Sequence, residues 1–301
     1  MRRDSGRPVD GIFLLDKPAG LTSNKVLQKV KHLFRARKAG HTGSLDPFAT
    51  GMLPICLGSA TKAAGFLLDS SKEYAVTLEF GRSTATGDID GDVIDEANVD
   101  PIPADRVEQV LASFVGDSTQ IPPMYSALKH EGRRLYDLAR KGITVALDPR
   151  PIRIEWIRLE GLDWPRAHFA VRCSKGTYIR SLATDIAARL GTIGFVSALR
   201  RVTVDPFGTR PMTTIEALEA TVCRDECAAD RLLLPPDAGL ARFDGVYVDP
   251  AAGEALVQGR AVPTGAGPGD LVRIYAGDVF IGLGSVDENG SLRPRRIFVG
   301  R

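Results

Sequence analysis

Gly40-His41-Thr42-Gly43-Ser44-Leu45-Asp46-Pro47-Phe48-Ala49-Thr50-Gly51, running on into Met52-Leu53-Pro54-Ile55-Cys56-Leu57-Gly58, is the stretch around which this chain is organised. Glycine and proline at this density forbid a regular helix or an inner strand, so the segment reads as a shaped loop held between ordered neighbours. Its one carboxylate, Asp46, precedes a proline, whose ring pushes the preceding residue into extended or turn conformations. The direction of Asp46 is thereby restricted. Taken alone, Asp-Pro is as compatible with a turn cap as with a presented reactive group.

Upstream, Gly11-Ile12-Phe13-Leu14-Leu15 is a short apolar run ended by Asp16-Lys17-Pro18-Ala19-Gly20, the pattern of a buried strand entering a turn. A helix follows, with Thr22 or Ser23 as cap and Val26, Leu27, Val30, Leu33 and Phe34 on one face; Lys29, Lys31 and Arg35 lie on the others. Downstream, 61–68 reads as helical, and Lys72-Glu73-Tyr74-Ala75-Val76-Thr77-Leu78-Glu79-Phe80 alternates like a strand with one buried face. Thr84-Ala85-Thr86-Gly87-Asp88-Ile89-Asp90-Gly91-Asp92 invites a calcium reading. An EF-hand loop, however, needs glycine at its sixth position and a bidentate Glu at its twelfth, and counted from Asp88 this segment has neither.

Pro122-Pro123-Met124-Tyr125-Ser126-Ala127-Leu128-Lys129 leads into Gly132-Arg133-Arg134-Leu135-Tyr136-Asp137-Leu138-Ala139-Arg140-Lys141-Gly142. Basic and aromatic residues alternate on a short helical stretch, a composition suited to tracking a phosphate backbone with stacking positions. Two paired strands are expected over 152–159 and 167–173, then Cys173-Ser174-Lys175-Gly176-Thr177-Tyr178-Ile179-Arg180-Ser181-Leu182 and a helix over 181–190. Past 240 the composition shifts to Gly-rich short strands, at 253–259, 261–263, 271–275, 279–284 and 292–298, the pattern of a small β-barrel.

The chain has 301 residues and 44% hydrophobic content, enough for one large and one small domain with a real core. A net charge of only +2 hides an uneven distribution. Lys25, Lys29, Lys31, Arg35, Arg37 and Lys38 crowd the region before the loop, whereas Asp88, Asp90, Asp92, Asp95 and Glu96 follow it. A phosphate-binding face needs local positive potential, so the near-neutral sum is compatible with an RNA partner. Cys56, Cys173, Cys223 and Cys227 show no paired C-x-x-C spacing, which argues against zinc. The basic N-terminus is followed by no apolar stretch of signal-peptide length, and no run approaches a membrane span, predicting a cytoplasmic protein with no membrane partner.

The loop resembles the G-H-x-G-x-L-D-P-x-A-T-G signature of the TruB family of pseudouridine synthases, and Lys175–Leu182 matches that family's K-G-T-Y-I-R-S-L element. The K-x-Y element (Lys72, Tyr74), P-P-x-Y-S-A-x-K and L-R-R (Leu199, Arg200, Arg201) fit as well, so the resemblance covers nearly the whole chain. Ala85 departs from the family's T-D-T-x-D-x-D-G, and Asp205 stands where relatives often have Gly. The resemblance implies isomerisation of one uridine, position 55, in the T loop of tRNA, without cofactor or metal. Asp46 is then the essential carboxylate, as nucleophile or base, with Arg180 pairing it; Tyr74, Tyr178 and Leu199 replace the stacking of the flipped base. His41, Lys17 and Asp88 complete the expected substrate-binding set, and Lys62, Lys129, Arg133, Arg134, Arg140 and Lys141 the RNA-binding set. The implied fold is α/β (α+β): a large mixed, mostly antiparallel sheet flanked by helices with a central RNA-binding cleft, plus a small PUA-like C-terminal β-barrel. The expected boundaries are a disordered basic tail over 1–8, a catalytic domain over 9–240 with an RNA-gripping thumb at about 124–150, and the PUA-like domain over 244–301. A monomer acting on the tRNA T stem-loop without guide RNA is the expectation. Its alternatives are a guide-RNA-dependent synthase of the same superfamily and a non-catalytic tRNA-binding or folding protein.

Overall fold

In a computed structural model, which describes residues 6–126 and 128–299, a large sheet runs through the first 204 residues. Its strands lie in the order Gly11–Lys17, Thr50–Leu57, Gly194–Val204, Lys72–Phe80, Arg166–Cys173, Arg150–Asp163 and Gly116–Gln120, with Ala39–His41 paired to Thr50–Leu57. Only the contact of Gly194–Val204 with Thr50–Leu57 is parallel, so the sheet is mixed and mostly antiparallel. The alternation in 72–80 is realised residue for residue: Lys72, Tyr74, Val76, Leu78 and Phe80 are buried and the residues between them half-buried. Helices Ala104–Ala112 and Ile179–Arg189 cover that face through Val107, Leu111, Leu182 and Ile186. Helices Ser23–Leu33 and Ile215–Arg224 cover the Gly11–Lys17 end through Val26, Val30, Ile215 and Leu218. Each such side chain contributes roughly 1.5–3 kcal/mol on full burial.

The parallel contact places the loop. Arg200 pairs with Thr50 and Arg201 with Gly51, where Gly51 has φ +99 and a Cβ would stand 2.2 Å from the Arg201 carbonyl oxygen. Only glycine lets the two backbones cross so closely. The loop therefore leaves the sheet at His41 and re-enters it at Thr50, the two strands that bound it being paired to each other.

The C-terminal module departs from expectation in two ways. Residues 253–259 are not a strand: Pro250–Val257 is a helix, capped by Asp249, whose carboxylate accepts from the Ala252 N–H at 2.8 Å, with Pro250 at its first turn. Aspartate then proline is a helix start, and Gly253 is there because a Cβ would meet Ala276 at 2.5 Å. The strands Gly245–Val248, Gly269–Ala276, Val279–Val286, Ser291–Ile297 and Val262–Pro263 form one curled five-stranded sheet, a half-barrel whose two end strands are unpaired to each other. It docks on the helical turn 58–68 through Ala63, Phe66, Leu283 and Phe298. At the other end of the chain, residues 1–5 of the expected tail lie outside the described residues. Arg7 is fixed: its guanidinium donates to both carboxylate oxygens of Asp230, at 2.7 and 2.6 Å.

Gly51→Ala should cost about 1–3 kcal/mol from backbone strain alone, and more from the clash with Arg201. Urea unfolding would register it as a lowered midpoint with unchanged slope; an unchanged midpoint would contradict the close crossing.

Candidate active site

The loop is fastened from beneath by side chains that the sheet and first helix supply. Lys17, with 0% exposure, ends the first strand and donates from Nζ to the carbonyls of Pro18 (2.9 Å), Pro47 (3.1 Å) and Ala49 (2.7 Å). Lys17 was expected among the substrate-binding residues; its donors face the loop backbone instead, because the strand direction aims it under Pro47. Thr22 caps the first helix, accepting from the Lys25 N–H, which frees Ser23 to bracket Leu45. The Ser23 hydroxyl donates to the Leu45 carbonyl and accepts from its N–H, at 2.9 and 2.8 Å. Gly20 donates its N–H to Pro47, and Ala49 to Asp46 itself.

At the loop's crest Asp46 meets Arg180 in a bidentate pair, Nε to Oδ2 at 2.9 Å and Nη2 to Oδ1 at 3.2 Å. Arg180 is buried, with 4% of its side chain exposed, while Asp46 keeps 36% of its own. The remaining guanidinium donors go to the carbonyls of Thr86 (2.8 Å) and Tyr125 (2.7 Å), and Asp88 lies 3.4 Å from Nη1. Asp88 is held in turn by the Thr86 hydroxyl and the Asp90 N–H. A single arginine thus gathers the loop, the acidic turn and the root of the expected thumb. Burial pushes the Asp46 carboxyl above its ordinary value, Arg180 pulls it back, and the like charge of Asp88 raises it again.

Tyr74 is buried in the strand beside the loop, and burial raises its phenol. Leu199 is paired with Val76, two residues along the same face. Tyr178 immediately precedes the helix that carries Arg180, and the Gln120 side chain accepts from its N–H and donates to its carbonyl, at 2.8 and 3.1 Å. His41 ends the short strand before the loop; burial and the Arg201 charge lower it, and its Nδ1 is buried without a hydrogen-bond partner among the described residues. Gln120 carried no sequence signal, and Ser23 and Thr86 none for the contacts they make here, because those depend on atoms brought from distant segments.

The expected RNA-binding residues divide. Lys62 is committed elsewhere: its Nζ donates to the Ile297 carbonyl at 2.5 Å and sits 5.9 Å from the Phe298 ring, tying the C-terminal sheet to the catalytic domain. Arg133, Arg134, Arg140 and Lys141 are exposed around a hollow of about 620 Å³. Arg134 and Arg140 both lie over the Tyr136 ring, at 5.8 and 5.7 Å. Lys129 is paired with Arg134 in the hairpin.

The family models for "TruB family pseudouridylate synthase (N terminal domain)", "tRNA pseudouridylate synthase B C-terminal domain" and "Pseudouridine synthase II TruB, C-terminal" match residues 31–179, 180–241 and 245–298. A protein of Methylobacillus flagellatus named tRNA pseudouridine synthase B is 45% identical over 97% of this chain and 96% of its own length. Its namesake in Nitrosococcus oceani is 46% identical over 98% and 97%. The chain belongs to the TruB family. Among solved structures, the chain in a Cbf5-Nop10-Gar1 complex superposes with a TM-score of 0.74 at 26% identity, covering 97% of this chain and 85% of that one.

A TruB-family pseudouridine synthase is an isomerase: the bond from C1′ to N1 breaks, one from C1′ to C5 forms, and the C5 proton is replaced by one on N1. No electron or outside group enters the balance. The bidentate grip of Arg180 holds the Asp46 carboxylate in one orientation.

On the expectation that Asp46 reacts in its ionised form, and because its carboxyl is raised, the single-turnover rate should fall on acidification through a midpoint above 3.8, the ordinary aspartate value. A pH–rate profile flat down to that value would contradict the burial of the group. Lys17→Met should lower the turnover rate at least tenfold while leaving RNA affinity within about twofold, since the Lys17 ammonium donates to backbone carbonyls of the loop and of the adjacent Pro18; filter binding alongside single-turnover assays separates the two.

Proposed function

We propose that this protein converts the T-loop uridine at position 55 of tRNA to pseudouridine, with Asp46 as the reacting carboxylate. The observation that carries the reading is the pair Asp46–Arg180: a half-exposed carboxylate, the only one in the signature loop, held bidentately by a buried arginine. A binding protein has no use for a raised carboxyl gripped in this way. Relatives named for tRNA that are 42–46% identical over nearly the full chain support the substrate.

The uridine of a folded T loop is stacked, and its reacting atoms are unreachable until the base is turned out. Tyr74, Tyr178 and Leu199 are the apolar surfaces that take over its stacking. Asp46, on the sugar side, acts as nucleophile or as base. Asp88 positions Arg180, and His41, neutral because buried beside Arg201, supports the opened RNA. Arg133, Arg134, Arg140, Lys141 and Lys129 form the gripping thumb, within the boundaries 124–150, and residues from 244 onward add the PUA-like RNA-binding module. Asp46 and Arg180 come from one chain, so a monomer is a complete catalytic unit, working in the cytoplasm where tRNA matures. The solved structures resembling this chain include an H/ACA RNP bound to a substrate RNA, whose likeness is one of fold; the cationic thumb favours direct grip of the substrate over a guide RNA.

Incubation of the purified protein with unmodified tRNA, followed by pseudouridine mapping, tests the substrate and position together. Asp46→Asn keeps volume and loop geometry while removing the anion. Turnover should drop by several orders of magnitude with tRNA affinity retained. Near-normal conversion by this variant would move the assignment to another carboxylate, Asp88 first.

A further inference from the structure

Arg201 is 1% exposed, one of the largest fully buried side chains of the molecule. Its Nε donates to the Met52 carbonyl at 2.7 Å and its Nη2 to the Gly43 carbonyl at 3.1 Å. These two acceptors flank the catalytic loop, one before Asp46 and one after it. The Arg201 backbone is simultaneously paired with Gly51 on one side and with Tyr74 on the other. One residue therefore contacts both ends of the loop that carries Asp46 and the strand that carries Tyr74.

This arrangement is expensive. Among the described residues no carboxylate stands within ion-pair distance of Arg201; its guanidinium is met by the Met52 and Gly43 carbonyls and lies against the Tyr74 phenol. Burial, with the Arg201 charge as a smaller contribution, lowers Lys17, Lys72 and His41, the two lysines to about 8. Burying a cation among other cations costs stability, and where only packing is required an apolar residue of the same size serves better. A long apolar side chain would also fill the space, but it would leave the Gly43 and Met52 carbonyls unanswered and the two loop ends free to move independently.

We propose that Arg201 is a positioning residue for the isomerisation: its guanidinium spans the two ends of the catalytic loop and fixes the distance from Asp46 to Tyr74. The guanidinium is needed because a planar fork reaches two separated acceptors at once, which an ammonium cannot do in the same geometry. Arg201 touches no substrate atom in this role; it acts through the loop. The inference rests on the proposed uridine chemistry, so the unaltered protein is assayed first; absence of turnover there counts against that reading and not against this one.

Arg201→Met and Arg201→Lys are compared with the unaltered protein under single-turnover conditions with excess enzyme on unmodified tRNA. A displacement of the reacting group by about 1 Å typically costs on the order of 100-fold, so the Met variant should lose about that much in rate constant with tRNA affinity within about twofold. The Lys variant, which restores one of the two contacts, should recover to about tenfold below normal. A residue with only a structural role would instead reduce the amplitude, the fraction of folded enzyme, and leave the rate constant of the remainder untouched. That result overturns the proposal, as does a loss of tRNA affinity that accounts for the lost rate. If the Met variant does not fold, the Lys variant decides by the same two readouts.

Discussion

Arg180 carries a full charge with 4% of its side chain exposed, and every other feature of the site follows from how that charge is compensated. A buried guanidinium is tolerable only if its donors are all engaged. Here they are engaged by Asp46, by Asp88 and by the carbonyls of Thr86 and Tyr125. Three segments far apart in sequence, at Asp46, at Thr86 with Asp88, and at Tyr125, thus converge on one plane of donors. The compensation also has a direction: Asp88 is as buried as the arginine, whereas Asp46 lies half open. The exposed partner is the one available to react.

The pair would be useless on a loop free to move. The loop buries Leu45 and Ala49 in the core, and its backbone is held by polar contacts with buried cations: Lys17 beneath Pro47 and Ala49, and Arg201 at Gly43 and Met52. Cations solvated mainly by carbonyls are poor sources of stability, and burial, with the Arg201 charge added to it, holds the Lys17 and Lys72 ammonium groups below their ordinary values. Their concentration behind the loop is the pattern of a site where stability has been traded for geometry. The large core clusters on either side of it offset that loss.

Much was legible beforehand where local pattern and tertiary environment agree. The alternation at 72–80 and the apolar face of the first helix both formed as read, because burial of one face is what those patterns encode. At 253–259 the reading failed: glycine frequency was taken for strand, while the capping pair Asp249-Pro250 specified a helix start, and local capping outweighs composition. The partnership of Asp46 and Arg180 was available only through family resemblance, since no spacing rule relates residues that far apart.

The sequence by itself determined that the chain around Asp46, residues 42–49, is a loop, that Asp46 is its one carboxylate, and that basic and aromatic residues gather at 129–141. Those are properties of neighbouring residues, carried by backbone restriction and composition. Only the tertiary structure decided what the buried cations do. Lys17 turned from substrate to loop, Lys62 from RNA to the C-terminal sheet, and Arg201 became the residue joining both ends of the loop. A lysine or arginine has the same charge wherever it stands; its acceptors are backbone carbonyls, which every residue possesses and no sequence pattern marks.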